Sequence, residues 1–367
     1  MQTPLCDPLG IRLPIIGFTP SEHVAAAISR AGGLGVLGCV RFNDAADLDR
    51  VLSWLDENTD GKPYGVDVVM PSKVPAEGTA GDLSAHIPGE HRAFVDRTLR
   101  ELRVPELSTS QDGAGVLGWL HSVARSHVEV ALKHPIRLIA NALGSPPADV
   151  IAQAHDHGVL VAALAGKPEH ARSHVGDGVD IVIAQGYEAG GHTGEIGSMV
   201  LLPEIVDEVG GQVPVLAAGG IGSGRQVAAA LALGASGVWM GSYWLTTTEY
   251  VETIGSAGTM QQAMVRATSS DTVRTRIFSG KPARLLKTRW TDAWAAEDAP
   301  EPLPMPLQNL LVGEAHRRIA ATDDPSVVVM PVGQIVGRMN AVRPVADVMH
   351  DLVTEFDETL RRLDDLR

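Results

Sequence analysis

Ile181-Val182-Ile183-Ala184-Gln185-Gly186-Tyr187-Glu188-Ala189-Gly190-Gly191-His192-Thr193-Gly194 is a short apolar run that stops at a polar residue and opens into a glycine-rich turn carrying one histidine. Four aliphatic residues with no polar alternation read as a strand buried on both faces, the kind found in parallel sheets covered by helices. The pattern recurs along the chain. Eight strands are expected at Leu13–Phe18, Gly35–Gly38, Tyr64–Met70, Ile136–Leu143, Val159–Leu164, Ile181–Gln185, Val213–Ala218 and Gly237–Gly241. Helix-period segments lie between them at Ser21–Ala31, Ala45–Glu57, Gly115–Leu132, Ala148–His157, Glu169–Val175, Leu201–Val209 and Arg225–Leu233, the last preceded by Ser223, a good N-cap residue. Eight βα repeats close a barrel, whereas an open doubly wound sheet more often has five to seven strands. The expected fold is therefore α/β, a (β/α)8 TIM barrel.

The remaining chain decorates that barrel. Residues 71–112, rich in Pro, Gly, Ser and charge, interrupt the rhythm after the third strand, where a barrel places active-site loops, and are a candidate lid. Residues 1–245 would form the barrel and 246–367 a C-terminal helical extension packed on it. Within the extension, Thr246–Ala267 reads as helical, Thr268–Thr288 as a loop, Trp290–Pro306 as a connection and Val345–Leu366 as a charged amphipathic helix.

Composition narrows the function. Hydrophobic residues make up 44% of the 367 but aromatics only 4%, so the core must be largely aliphatic. A net charge of −14 repels phosphate backbones and anionic lipid, so neither nucleic acid nor membrane is an expected partner. Cys6 and Cys39 are the only cysteines, too few for a disulfide framework. The first residues lack the basic and apolar regions of a signal peptide, and no stretch is long and apolar enough to span a bilayer; a cytoplasmic location is expected. The oligomeric state is left open.

Glycine clusters end three consecutive strands: Gly186 with Gly190-Gly191, Gly219-Gly220-Ile221-Gly222, and Gly241-Ser242. In a barrel, the loops after the seventh and eighth strands often bind phosphate through backbone N–H groups, and glycine permits close approach; alternatively such glycines only make tight turns. Neither Gly-x-Gly-x-x-Gly after the first strand nor a P-loop is present, so the phosphate would belong to a mononucleotide such as FMN. His192 then lies at the catalytic face, where an imidazole can exchange protons or stabilise an anion. His170 and His174 have metal-pair spacing without a carboxylate third ligand, and no metal site is expected. Cys39 reads as a packed thiol. No Gly-x-Ser-x-Gly elbow supports a hydrolase.

Three further stretches extend the pattern: Pro14-Ile15-Ile16 leading to Ala31-Gly32-Gly33-Leu34-Gly35, Ala217-Ala218-Gly219-Gly220-Ile221, and Phe278-Ser279-Gly280-Lys281-Pro282-Ala283-Arg284. Together with Gln185-Gly186 and Gly190-Gly191-His192-x-Gly194, they resemble the nitronate monooxygenase family, formerly 2-nitropropane dioxygenases. The resemblance implies an FMN-dependent oxidoreductase in which His192 acts near flavin and substrate. It also implies that Gly17, Phe18, Asp67, Gln185, Gly190, Gly191, Gly219, Gly220, Gly241 and Ser242 are flavin neighbours. The implied reaction oxidises alkyl nitronates with O2 to carbonyl compounds and nitrite. Two alternatives stay open: an NAD(P)H-dependent flavin reductase of enoyl thioesters or quinones, and a non-catalytic FMN-binding protein. Relatives commonly carry Gln and Met where this chain has Ile16-Gly17-Phe18, and Asn where it has Asp67. Asp67 either places charge beside the cofactor or merely caps or pairs with Lys73 or an Arg. Lys281 and Arg284 are expected as solvated surface charge, with contact to an anionic substrate or nucleotide phosphate as the alternative.

Overall fold

The computed structural model describes residues 1–70, 83–107, 121–253 and 257–366. Eight strands close a barrel in the order β1-β2-β3-β4-β5-β6-β8-β9. They are β1 (Ile15–Thr19), β2 (Leu34–Gly38), β3 (Tyr64–Val68), β4 (Leu138–Asn141), β5 (Leu160–Ala165), β6 (Ile181–Gln185), β8 (Val215–Ala218) and β9 (Gly237–Met240). Every neighbouring pair is parallel, and β9 closes onto β1 through Ile16↔Trp239. The (β/α)8 barrel expected from the repeats is the observed fold. Several strands are shorter than the apolar runs that announce them, and for β4 and β8 a local reason is visible. Asn141 ends β4 by donating to the Met70 and Gly144 carbonyls and accepting the Met70 N–H; Pro214, which has no N–H to give a ladder, holds the start of β8 back to Val215.

Strand alternation sorts the side chains. Ile16, Leu34, Val36, Leu138, Ala140, Ala162, Ile183, Leu216, Ala218 and Trp239 form one buried cluster inside the barrel, while Ile15, Val66, Val68, Val182 and Val215 pack outward under the helices. The C-terminal helix Val345–Asp364 lies against helix Gly224–Ala232 so closely that a Cβ on Gly224 would stand 2.2 Å from the Leu352 carbonyl oxygen. Only glycine allows that crossing.

Outside the barrel sits a second core. Phe94, Val95 and Leu99 of helix Gly89–Glu101, inside the 71–112 insertion, are buried with Ile277, Leu285, Trp290, Trp294, Leu311, Val312 and Ala315. The insertion and the C-terminal extension thus share one hydrophobic cluster. The expected lid lies in part outside the described residues, at 71–82 and 108–112. The extension also contains strands where a loop is expected at Thr268–Thr288. There β10 (Thr272–Thr275) pairs antiparallel with β11 (Ala283–Leu286), and β11 pairs with β7 (Gly191–His192). A further helix, Leu307–Ala320, follows the expected connection, whose first residues form helix Arg289–Trp294. Among the described residues no helix is long and apolar enough to cross a membrane.

Candidate active site

The loop after β6 is tied down at both ends and through its middle. Tyr187 donates its N–H to the Ile196 carbonyl at 2.8 Å, and the Thr193 hydroxyl donates to the Gly186 carbonyl at 2.9 Å. Gly194 passes against Gly166 after β5, where a Cβ would lie 3.0 Å from the Gly166 carbonyl oxygen, and a Cβ on Gly219 after β8 would stand 3.2 Å from the Ala189 side chain and 3.3 Å from the Gly186 carbonyl oxygen. The loop therefore crosses the ends of β5, β6 and β8. Two arginines of the extension clamp it. Arg284 is 3% exposed, donates to the Tyr187 carbonyl at 3.0 and 3.3 Å and lies over the Tyr187 ring at 4.6 Å. Arg274 donates to the Thr193 carbonyl at 3.2 Å. Arg284 is thus a buried structural cation, not the solvated charge expected; its place on β11 beneath Tyr187 forces it inward. Lys281 is exposed as expected.

Pairing of β7 with β11 sets His192 opposite Ala283 and brings its ring to the Ser279 hydroxyl, Nε2 to Oγ 2.6 Å. Phe278 meets the imidazole edge-on at 6.5 Å. Loss of water around the ring, then the nearby Lys281 ammonium, pulls the imidazole pKa down to about 4, so it is neutral at pH 7. Two protons serve the His192–Ser279 pair, and one of them fills the hydrogen bond between the imidazole Nε2 and the serine Oγ. Whichever tautomer holds, the other stays on Nδ1 or on Oγ. Ser279 is 1% exposed. Its role was hidden in the sequence, because 87 residues separate it from His192 and the pairing of a two-residue strand joins them; its only signal was membership of the Phe278–Arg284 motif.

The other site residues divide by what surrounds them. Phe18 stacks on Trp239 at 6.2 Å, and a Cβ on Gly241 would meet its ring at 3.5 Å, so these gather at the mouth end of β1 and β9. Asp67 faces the interior, since Val66 and Val68 on either side pack outward. Gln185 pairs with Ala218 in the sheet register. Gly17 instead turns outward, where a Cβ would strike Ile28 at 2.4 Å and the Trp244 indole at 2.9 Å. Gly190 is required by protein packing too, its Cβ position lying 2.6 Å from the Gly333 amide. Gly333 in turn donates to the Ser242 hydroxyl oxygen at 2.9 Å, leaving that hydroxyl's own proton free. Gly191, Gly219 and Gly220 have φ of +72°, +97° and +68°, which favour glycine.

A phosphate needs donors that the protein leaves unused. Among the described residues, the backbone N–H groups of Gly219, Gly220, Ile221, Gly241, Ser242 and Tyr243 have no protein acceptor. They stand at the ends of β8 and β9, the positions expected to hold a mononucleotide phosphate. The neighbouring terminus of helix Gly224–Ala232 is already filled, because the Glu355 carboxylate accepts the Gly224 N–H at 3.0 Å. This donor set fits FMN. No group of His, Cys, Asp or Glu among the described residues could hold a metal ion, and His174 is occupied by the Ser145 hydroxyl at 2.7 Å and the Leu164 carbonyl at 3.1 Å.

A family model described as nitronate monooxygenase matches residues 9–355. A protein of Mycobacterium tuberculosis named as a monooxygenase is 48% identical over 100% of this chain and 99% of its own. Nitroalkane oxidase from Streptomyces ansochromogenes superposes with a TM-score of 0.79 at 30% identity, covering 98% of this chain and 99% of its own. FabK from Thermotoga maritima gives 0.74 at 28% identity over the whole of both chains. With a match that runs nearly end to end and a fold shared throughout, the chain belongs to the nitronate monooxygenase family, and so to the oxidoreductases.

Proposed function

We propose that the chain is an FMN-dependent enzyme that oxidises alkyl nitronates with O2 to carbonyl compounds and nitrite. The observation that carries this reading is the His192–Ser279 pair on a loop laid over the strand ends beside the unused amides of β8 and β9. When bound, FMN supplies the electron acceptor that an already ionised substrate needs. Gly219, Gly220, Gly241 and Ser242 would hold its phosphate, with Phe18, Asp67 and Gln185 around the ring.

The protein's own work is to bind and orient an anion. A neutral imidazole at pH 7 and a buried serine hydroxyl offer it one free proton in a partly dry site, where a hydrogen bond to charge is strong. As the nitronate enters, its negative charge favours the imidazolium and raises the His192 pKa from its depressed value, so the histidine becomes a better electrostatic partner with substrate present than without it. The same neutral ring can accept a proton from a nitroalkane, though a base held near 4 does so weakly,. A nitronate is therefore the better substrate.

The test is direct. Purified protein should be yellow, release FMN on denaturation, and form nitrite from propyl-2-nitronate with consumption of O2. Colourless protein that fails to take up FMN removes the reading. The likeness to FabK sustains the second reading, NAD(P)H-dependent reduction of enoyl thioesters or quinones, which predicts rapid flavin reduction by NADH or NADPH instead.

A further inference from the structure

Asp67 sits on β3 with its side chain inside the barrel, between Gly38 on β2 and Ala140 on β4 in the sheet register, and is 4% exposed. What surrounds it is small or apolar. The Phe18 ring hangs over Gly38, within 3.1 Å of where a Cβ would stand, and Val36, Ala140, Ala162 and Trp239 belong to the same interior cluster. Among the described residues no cation pairs with the carboxyl and no side chain hydrogen-bonds to it; burial alone acts on it, holding it well above the usual carboxylate range. The titratable group electrostatically coupled to it is the Cys39 thiol just past β2, buried in the outward-packing cluster, itself pushed up by burial and by Asp67, and lowered by Arg41. Phe18 from β1 and Ala140 from β4 do not titrate.

An unpaired carboxylate in such an enclosure is disfavoured against the neutral acid. A neutral carboxylic acid has an O–H to donate, as the amide of an asparagine has an N–H, and an apolar site that keeps a carboxyl neutral makes it a hydrogen-bond donor at pH 7. We propose that Asp67 is carried as the neutral acid and donates its O–H to an acceptor atom of the flavin ring, so that cofactor affinity depends on this proton. The proposal rests on the FMN reading above. Once pH passes the point where the acid ionises, the donor is lost, and FMN affinity should fall about tenfold per further pH unit.

Infrared difference spectra between wild type and D67N at pH 7 should show the C=O stretch of a protonated carboxyl. FMN dissociation constants for the apo forms of wild type, D67N, D67L and C39A, from pH 6 to 10, then test the donor. D67N should match wild type within about threefold at pH 7, because the amide also donates. D67L should bind at least tenfold more weakly throughout. The wild-type constant should rise relative to D67N above the pH where the infrared band disappears, and C39A should follow wild type. A carboxylate band at pH 7 overturns the proposal. So does a wild-type to D67N ratio that stays constant across the loss of the band, or a dependence that vanishes in C39A. If D67L does not fold, wild type against D67N still decides. Absence of FMN uptake by every form removes the flavin reading and this proposal together, whereas uptake with a flat ratio removes this proposal alone.

Discussion

At the barrel mouth the inward positions include Gly38, Asp67, Ala140, Ala218 and Gly241 beside the Phe18–Trp239 stack; in the second core Trp290, Trp294, Phe94 and Phe278 fill the space. Rings meet there in a chain: Phe94 with Trp294 at 4.8 Å, Trp294 with Trp290 at 6.1 Å, Trp290 with His316 at 5.9 Å, and His316 with Phe278 at 5.4 Å. Phe278 then meets His192. The rings of the second core form a connected chain, whereas at the mouth one stacked pair, Phe18 on Trp239, stands among small residues and backbone donors. On the proposed reading the barrel holds the flavin, while the second core anchors the Phe278–Leu285 segment that sets His192 against Ser279.

The sharpest way to break that division is His192→Ala. Turnover of a nitronate should fall by about 10²- to 10⁴-fold with FMN content unchanged, and equal loss of flavin would show that the two regions do not have separate tasks. Trp290→Ala comes next. Emptying a fully buried indole costs about 3–5 kcal/mol, and because β11 carries β7, activity should decline alongside the denaturation midpoint. A variant with wild-type stability would detach the second core from the fold's integrity.

Gly241→Val addresses the barrel side. A Cβ there meets only ordinary contact with Phe18, so stability should change little, while side-chain carbons beside the amide should hold a phosphate off it and weaken FMN binding roughly tenfold to a hundredfold. Unchanged affinity would place the phosphate elsewhere. Gly220 is the poorer probe, since its φ of +68° strains any side chain.

A smaller effect separates the regions by pH. Burial lowers the His316 pKa to about 4, as it does for His192, against about 6.5 in the unfolded chain. The unfolded state then binds more protons between those values, so stability is full above about pH 6.5 and declines as pH falls toward 4. His316→Phe should flatten the dependence of Tm on pH in that window but leave the histidine-linked pH dependence of turnover in place. The reverse pattern would exchange the roles of the two histidines.

Much of this was legible in residue order. Most barrel strands are apolar runs ended by glycine or a polar residue, and strand, helix and strand recur at short range, so the barrel could be read locally. Phe18 and Asp67 were visible as departures from relatives. The pair β11–β7 was not, because a two-residue strand has no period of its own and its partner lies some ninety positions away, and β10 and β11, four residues each, are too short to show an alternation. For the same reason Arg284 looked like surface charge and Ser279 like a motif letter. Gly17 and Gly190 illustrate the converse: both are expected as flavin neighbours, whereas Trp244, Ile28 and the Gly333 backbone are what leave no room for a side chain there.

Anaerobic mixing of the FMN-loaded protein with its candidate electron donors tests the account most directly. The flavin absorbance should bleach within the time of mixing with propyl-2-nitronate, and much more slowly with NADH or NADPH. Rapid bleaching by a pyridine nucleotide together with no response to the nitronate would contradict it.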